Sequence, residues 1–181
     1  MHPLFKKRRP DELHAQGFTL LELITVILLI LIVASIITPY LNDAINAAYR
    51  VRCVSNLRNL HVGFESYLQD HKMWPQQLTN FTVDQDEDYE NWWLTTMDPY
   101  VPSRKVWQCP ILAAQKVKNF QGKLLQMHYS PTMFDANPIS PHRWSKQPWI
   151  IELTNAHGHG PLVLMPDGSV SNYADLVKFS Q

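Results

Sequence analysis

The sequence predicts an α+β protein in which one long N-terminal helix packs on a small antiparallel β-sheet domain. The helix is expected to be transmembrane in its first half and amphipathic in its second half, because an apolar run is followed by apolar residues at spacings of three and four. The last third of the chain alternates short β-prone segments with turn residues. A length of 181 residues suits one compact domain with additional segments.

Charge is distributed unevenly along the chain. The 16 basic and 16 acidic residues balance, so there is no overall basic footprint and no nucleic-acid partner is predicted. Four basic residues form the cluster Lys-Lys-Arg-Arg at 6–9, whereas only Asp11 and Glu12 among the acids precede Phe18. The positive charge therefore belongs to a short N-terminal segment.

The apolar run from Phe18 to Thr38 contains 21 residues and a single charge, Glu22. As a helix it would span roughly 30 Å, the thickness of the hydrocarbon core of a bilayer. The basic cluster in front of it predicts a cytoplasmic N-terminus and a body on the other side of the membrane. One alternative is a cleaved secretory signal, but there small residues follow a shorter apolar stretch, whereas Gly17 precedes this one. The other is a plain signal anchor, which leaves Glu22 unexplained.

Glu22 is the residue of this run that is expected to need an ionic or hydrogen-bonding partner. A carboxylate costs roughly 2.5–3.5 kcal/mol at the centre of a membrane and less near its edge. No Lys or Arg lies between Phe18 and Thr38, so the partner is expected from another chain or from a new N-terminus. Cleavage after Gly17 would supply the α-amino group of Phe18. The alternative is a protonated or snorkelling glutamate without function.

Residues 17–24, Gly-Phe-Thr-Leu-Leu-Glu-Leu-Ile, follow this basic leader and resemble the processing site of type IV prepilins and type II secretion pseudopilins. The resemblance implies that a prepilin peptidase removes residues 1–17 and methylates Phe18. It also implies that Glu22 pairs with the N-terminus of a neighbouring subunit and sets the assembly register. The expected location is the bacterial inner membrane, with a single membrane pass and a periplasmic body. The expected partners are the peptidase, other pilin or pseudopilin subunits, the inner-membrane secretion machinery and lipid.

The amphipathic half of the helix is predicted over residues 40–72. Its apolar stripe comprises Leu41, Ile45, Ala48, Val51, Val54, Leu57, Leu60, Phe64 and Leu68. Pro39, which falls where many pilins have a helix-bending proline, predicts a kink after the transmembrane segment 18–39. The helix is expected to run to about Asp70 and to end at Met73-Trp74-Pro75. The stripe is wider than a coiled-coil seam, which favours packing on the body at 73–181.

In the body, residues 76–110 are expected to form loops with short helical pieces, including a helix from Asn91 to Tyr100. Asp84, Asp86, Glu87 and Asp88 predict a solvated acidic loop. An EF-hand is excluded because Tyr89 and Thr95 occupy the positions that require Gly and Glu. Strands are predicted at 149–153, 162–165 and 169–173, and Pro166-Asp167-Gly168 is a hairpin turn between the last two.

Cys53 and Cys109 are too few for a disulfide scaffold or for a zinc site of their own. A periplasmic location would allow them to form one disulfide, which would close a long loop and add about 4 kcal/mol in the chain-entropy model. The alternative is two buried free thiols.

His157 and, ten positions later, Asp167-Gly168 resemble the His-x9-Asp-Gly segment at the C-terminus of many prepilin-type proteins. Other parts of the chain are also similar to this group of proteins: Cys53–Leu60, Tyr67, Trp74-Pro75 and Cys109-Pro110. This resemblance implies a protein class and no reaction. His157, His159 and Asp167 could converge, but the chain lacks the established zinc, nucleophile and phosphate-binding motifs. We therefore expect no catalytic residue, no metal and no cofactor, and not an enzyme.

The function expected from these observations is that of a structural subunit of a type II secretion pseudopilus or a related type IV filament. Two alternatives stay open. One is a surface pilin for adhesion, motility or DNA uptake, and the other is a membrane-anchored binding module that does not polymerise.

Overall fold

The computed structural model describes residues 18–76, 86–119, 122–158 and 160–178. The predicted leader 1–17 with Gly17, as well as Asp84 and His159, lies outside these residues. The chain divides into two compact units, Met1–Asp43 and Ala44–Gln181.

The first element, α1, is a helix that extends from Leu20 to His71. A reciprocal pair of hydrogen bonds caps its start: the Glu22 backbone N–H donates to Thr19 Oγ1 (3.2 Å), and the Thr19 N–H donates to Glu22 Oε2 (3.0 Å). This is a capping box, which satisfies two backbone donors at the helix N-terminus. At the other end Lys72 has a φ of 55°, the left-handed conformation that commonly terminates a helix. The helical assignment continues through Pro39, and the kink stays a prediction.

Within the described residues, one stretch of α1, Leu20–Thr38, is long and apolar enough to cross a membrane. None of its residues is buried, which distinguishes it from the core helix of a soluble domain. The chain therefore has a candidate membrane-spanning helix near its N-terminus, as the sequence predicts.

The apolar stripe on the second half of α1 is buried only in part. Cys53, Leu57, Leu60, Phe64 and Leu68 lie in the core of the body. The predicted packing role is wrong for Leu41, Ile45, Ala48 and Val51, which are exposed. The apolar stripe begins N-terminal to the part of α1 that the body buries, because burial on α1 starts near residue 49.

Three short helical elements follow α1. They are α2 at Asp86–Met97, a 3-10 turn at Arg104–Trp107 and α3 at Pro110–Ala114. The prediction of an acidic loop is wrong for Asp86, Glu87 and Asp88, because they form the first turn of α2. The helix predicted at 91–100 thus begins five residues earlier and ends three residues earlier.

The sheet is an antiparallel meander of four three-residue strands in the order β1-β2-β3-β4. The strands are β1 at Tyr129–Pro131, β2 at Ile150–Glu152, β3 at Leu162–Leu164 and β4 at Val170–Asn172. Three of them confirm the predicted strands with shorter bounds. A short helix, α4 (Ser140–Arg143), lies between β1 and β2, and α5 (Tyr173–Lys178) follows β4 directly.

Aromatic side chains join the sheet to α1. Phe64 stacks on Trp74 with ring centroids 4.6 Å apart and contacts Trp93 and Trp107 at 5.7 and 6.2 Å. Trp149, at the start of β2, packs edge-on against Trp74 at 5.2 Å. All four tryptophans are fully buried, so the core lies between the C-terminal half of α1 and the sheet.

Candidate functional site: a buried cysteine, glutamate and histidine cluster

Four chemically reactive side chains meet in the interior of the body. Cys53 lies on α1, Cys109 directly precedes α3, Glu152 ends β2, and His157 lies in the loop between β2 and β3. Their sulfur, oxygen and nitrogen atoms all lie within 4.8 Å of one another. We call these four residues the buried thiol cluster.

The two thiols at the centre of the buried thiol cluster are in direct contact. The Sγ atoms of Cys53 and Cys109 lie 2.7 Å apart, and both residues are completely buried. The hydrogen bond between the thiols lowers the pKa of Cys53, whereas the same contact and burial raise the pKa of Cys109. The proximity that a disulfide requires is present, and the bond itself stays a prediction.

Neighbouring polar groups fix the backbone that carries Cys109. The Cys109 N–H donates to His128 Nδ1 at 3.0 Å, and the Asn56 amide of α1 donates to the Gln108 carbonyl at 3.0 Å. Because His128 Nδ1 accepts this bond and burial lowers its pKa, the imidazole is neutral with its proton on Nε2. The loop before α3 is thereby held against α1.

Glu152 and His157 complete the buried thiol cluster. Glu152 Oε2 accepts a hydrogen bond from the Leu162 N–H at 3.1 Å, and Oε1 lies 3.4 Å from His157 Nε2. The side chains of His157 and Glu152 are 1% and 0% exposed, respectively. Burial raises the pKa of Glu152 to about 8 and lowers the pKa of His157. Both groups are therefore mostly uncharged near neutral pH when nothing else occupies the cluster.

The buried thiol cluster does not have the geometry of a nucleophilic relay. In such a relay one imidazole nitrogen faces the nucleophile and the other faces the carboxylate. Here His157 Nε2 faces both groups, at 3.7 Å from Cys109 Sγ and 3.4 Å from Glu152 Oε1. A completely buried thiol is also inaccessible to a substrate. The arrangement instead suits a covalent or metal-mediated link between elements.

The other members of the predicted C-terminal motif lie elsewhere. Asp167 and Gly168 form the turn between β3 and β4, where Asp167 Oδ1 accepts a hydrogen bond from the Ser169 N–H at 2.9 Å. Gly168 has a φ of 77°, which the turn requires. The structure thus assigns these two residues to a turn and places His157 in the buried thiol cluster.

At the N-terminal end of α1, the Glu22 carboxylate contacts its own chain. Glu22 Oε2 accepts hydrogen bonds from the backbone N–H and the hydroxyl of Thr19, at 3.0 and 2.9 Å. Phe18 is exposed. Glu22 therefore has a structural role as the acid of the capping box, in addition to any role that it has between subunits.

Sequence reasoning did not identify Glu152 as a site residue. The available signal was its place in the run Trp149-Ile150-Ile151-Glu152-Leu153. Alternate residues of a strand share a face, so a buried Ile150 implies a buried Glu152. A buried acid in turn implies a partner close by.

Comparison of the chain with protein-family models, curated proteins and solved structures found no significant match.

Proposed function

We propose that the chain is a structural subunit of a bacterial filament assembled from the membrane, a type II secretion pseudopilus or a related type IV filament. One observation carries the proposal: Leu20–Thr38 of α1 exposes an apolar surface all round, and a single carboxylate, Glu22, stands at its start. Lipid would cover this surface before assembly, and the helices of neighbouring subunits would cover it afterwards.

The exposed apolar residues continue beyond the membrane-length stretch. Ile45, Ala48 and Val51 recur at a spacing of three along α1, which places them along one side of the helix. Apolar patches of this kind on a soluble surface usually mark contacts with another protein. A filament in which α1 of each subunit packs on its neighbours would bury this patch as well.

The capping box leaves part of the Glu22 carboxylate available to a neighbour. Both hydrogen bonds from Thr19 go to Oε2, so Oε1 can accept one from an α-amino group on an adjacent subunit. Processing between Gly17 and Phe18 would create such a group in every subunit. A charge-assisted hydrogen bond in an apolar surrounding is strong and directional, which suits a contact that fixes the stagger between subunits.

Two substitutions separate the capping role of Glu22 from its proposed role between subunits. Glu22→Gln keeps a side chain that supports a capping box but removes the negative charge. Thr19→Ala removes the capping hydroxyl and keeps the charge. Each variant is expressed with an active prepilin peptidase and secretion machinery, and assembly is measured as the fraction of the chain in sheared, sedimented filaments.

We expect Glu22→Gln to insert into the membrane normally and to lose filament assembly, whereas Thr19→Ala assembles at close to the wild-type level. Membrane content, measured by fractionation, serves as the control for insertion. Normal assembly of Glu22→Gln would contradict the proposed role of the Glu22 charge between subunits, whereas a wild-type chain that is absent from the filament fraction would contradict the filament function and favour an anchored module that does not polymerise.

A further inference from the structure

We propose that Cys53, Cys109, Glu152 and His157 form a structural zinc site. This inference departs from the sequence-based expectation that the chain binds no metal. It does not depend on filament assembly, because all four residues belong to the unit Ala44–Gln181.

The donor set matches the chemistry of zinc. Structural zinc sites are tetrahedral and take four ligands from thiolate, imidazole and carboxylate groups, with all positions supplied by protein. The buried thiol cluster offers two thiols, one imidazole and one carboxylate, and these atoms lie within 4.8 Å of one another. Cys53, Cys109 and the side chains of Glu152 and His157 are at most 1% exposed, so the site is closed to solvent.

Two of the distances between the donor atoms are close to those of a tetrahedral site. Zinc–ligand bonds of about 2.0–2.3 Å place adjacent sulfur and nitrogen ligands about 3.5 Å apart, and nitrogen and oxygen ligands about 3.3 Å apart. The observed separations are 3.7 Å between Cys109 Sγ and His157 Nε2 and 3.4 Å between His157 Nε2 and Glu152 Oε1. The two sulfurs, at 2.7 Å, must separate by about 1 Å to bind one ion. Small rotations of both cysteine side chains achieve this, and repulsion between two thiolates favours it.

A second, independent observation is an unsatisfied oxygen that points into the cluster. Within the described part of the chain, Glu152 Oε1 makes no hydrogen bond of good geometry, although its side chain is completely buried and His157 Nε2 lies 3.4 Å away. A buried polar atom without a partner destabilises the folded state, and buried carboxylates are normally paired or bound to a metal. A disulfide between Cys53 and Cys109 would leave this oxygen unexplained. A zinc ion would satisfy it and link it to both sulfurs and to His157.

The site would act as a clamp on the body. Its four ligands come from α1, from the loop before α3, from the end of β2 and from the loop that leads to β3. The ion would thus tie the sheet and the Cys109 loop to α1, since its binding free energy contributes directly to folding. His128 and Asn56 support the Cys109 loop through the hydrogen bonds described above, as polar groups around metal ligands commonly do.

The test uses the full chain in detergent, purified without a chelator and with its thiols kept reduced. Metal content is measured first, the metal is then removed with a chelator, and Zn²⁺ is titrated back in competition with a chromogenic chelator. We expect one Zn²⁺ per chain. Cobalt substituted for zinc should show a thiolate-to-metal charge-transfer band that is weaker in Cys53→Ser, which keeps one thiolate, and absent when both cysteines are replaced by serine.

The decisive variants are Glu152→Gln and His157→Gln, which keep both cysteines and similar side-chain volumes. Loss of a supporting hydrogen bond weakens metal binding about 10–100-fold, so removal of a direct ligand is expected to weaken it by at least about 100-fold. Glu65→Gln and His71→Gln, on α1 outside the cluster, are the matched controls and should bind as the wild type does. Circular dichroism compares the folding of all variants.

Two results would overturn the proposal. The first is found in a separate preparation, purified without a reductant: a wild-type chain whose intact mass is two hydrogens lower because a Cys53–Cys109 disulfide has formed. The second is zinc affinity in Glu152→Gln and His157→Gln equal to that of the controls. If the variants fail to fold, X-ray absorption of the wild-type protein decides: two sulfur ligands and two nitrogen or oxygen ligands, one of them with the outer-shell scattering of an imidazole, support the site, and any other set contradicts it.

Discussion

Replacement of Gly168 by alanine tests how the β3–β4 hairpin is attached to α1. Gly168 has a φ of 77°, and its N–H donates to the Met165 carbonyl at 3.0 Å. A Cβ at this position would lie 3.2 Å from Cε1 and 3.3 Å from Nδ1 of His61 on α1. The imidazole has little freedom to yield, because Nε2 bonds the Pro166 carbonyl at 2.9 Å and the ring stacks on Trp149 at 5.0 Å.

The expected loss of stability has two parts. A left-handed backbone costs a non-glycine residue about 1–2 kcal/mol. Displacement of the His61 ring adds about 1–2 kcal/mol, at the lower end of the range for overpacked sites. Gly122 is a matched control, because its φ is 79° and, in the described part of the chain, a Cβ there would have no neighbour within 4 Å. Gly122→Ala should therefore cost only the backbone part, about 1–2 kcal/mol.

Chemical denaturation of the full chain in detergent, followed through the fluorescence of the buried tryptophans, measures both variants. We expect Gly168→Ala to be less stable than Gly122→Ala by about 1–2 kcal/mol. In a His61→Ala background the difference should fall to within about 0.5 kcal/mol, because the two residues then no longer interact. Equal losses for the two glycine variants in the wild-type background would refute the docking of the turn on His61.

Two further substitutions test the packing of the body. Gly63→Ala should destabilise the body by about 1–2 kcal/mol, because a Cβ there would lie 2.9 Å from Val101 Cγ1 and 3.0 Å from the Tyr100 carbonyl oxygen. This steric cost outweighs the gain of about 1 kcal/mol in helix propensity. A variant that is more stable than the wild type in denaturation would contradict this contact. Glu90→Ala should cost about 1–3 kcal/mol, since the Glu90 carboxylate accepts hydrogen bonds from the backbone N–H groups at 126–127, and a melting temperature unchanged from that of the wild type would contradict this role.

The sequence predicts the parts of the fold that have a strong period or a strong turn signal. The apolar run and the three-and-four spacing predict α1, and Pro166-Asp167-Gly168 predicts the turn between β3 and β4. β1 (Tyr129–Pro131) is not among the predicted strands; it contains Pro131, which lies on the edge strand of the sheet, where proline is tolerated. The extent of burial along α1 was also mispredicted, because periodicity shows which face is apolar and not how far the body covers it.

The candidate site depends on long-range contacts that a sequence does not specify. The Cys53–Cys109 disulfide stays a prediction, and only the fold shows that both thiols lie beside Glu152 and His157. Of the other ligands considered from the sequence, Asp167 belongs to a turn, and His159 lies outside the described residues. The predicted C-terminal motif thus combines a residue of the buried thiol cluster, His157, with a turn residue, Asp167.

The N-terminus of the mature chain tests the proposed filament function most directly. The chain is expressed in cells with an active prepilin peptidase, extracted from the membrane and analysed by mass spectrometry of its N-terminal peptide. We predict a peptide that begins with N-methylated Phe18, because the exposed apolar surface of Leu20–Thr38 and the charge at Glu22 are then positioned for assembly. A chain that retains Met1 and the whole of residues 1–17 under these conditions would contradict the account.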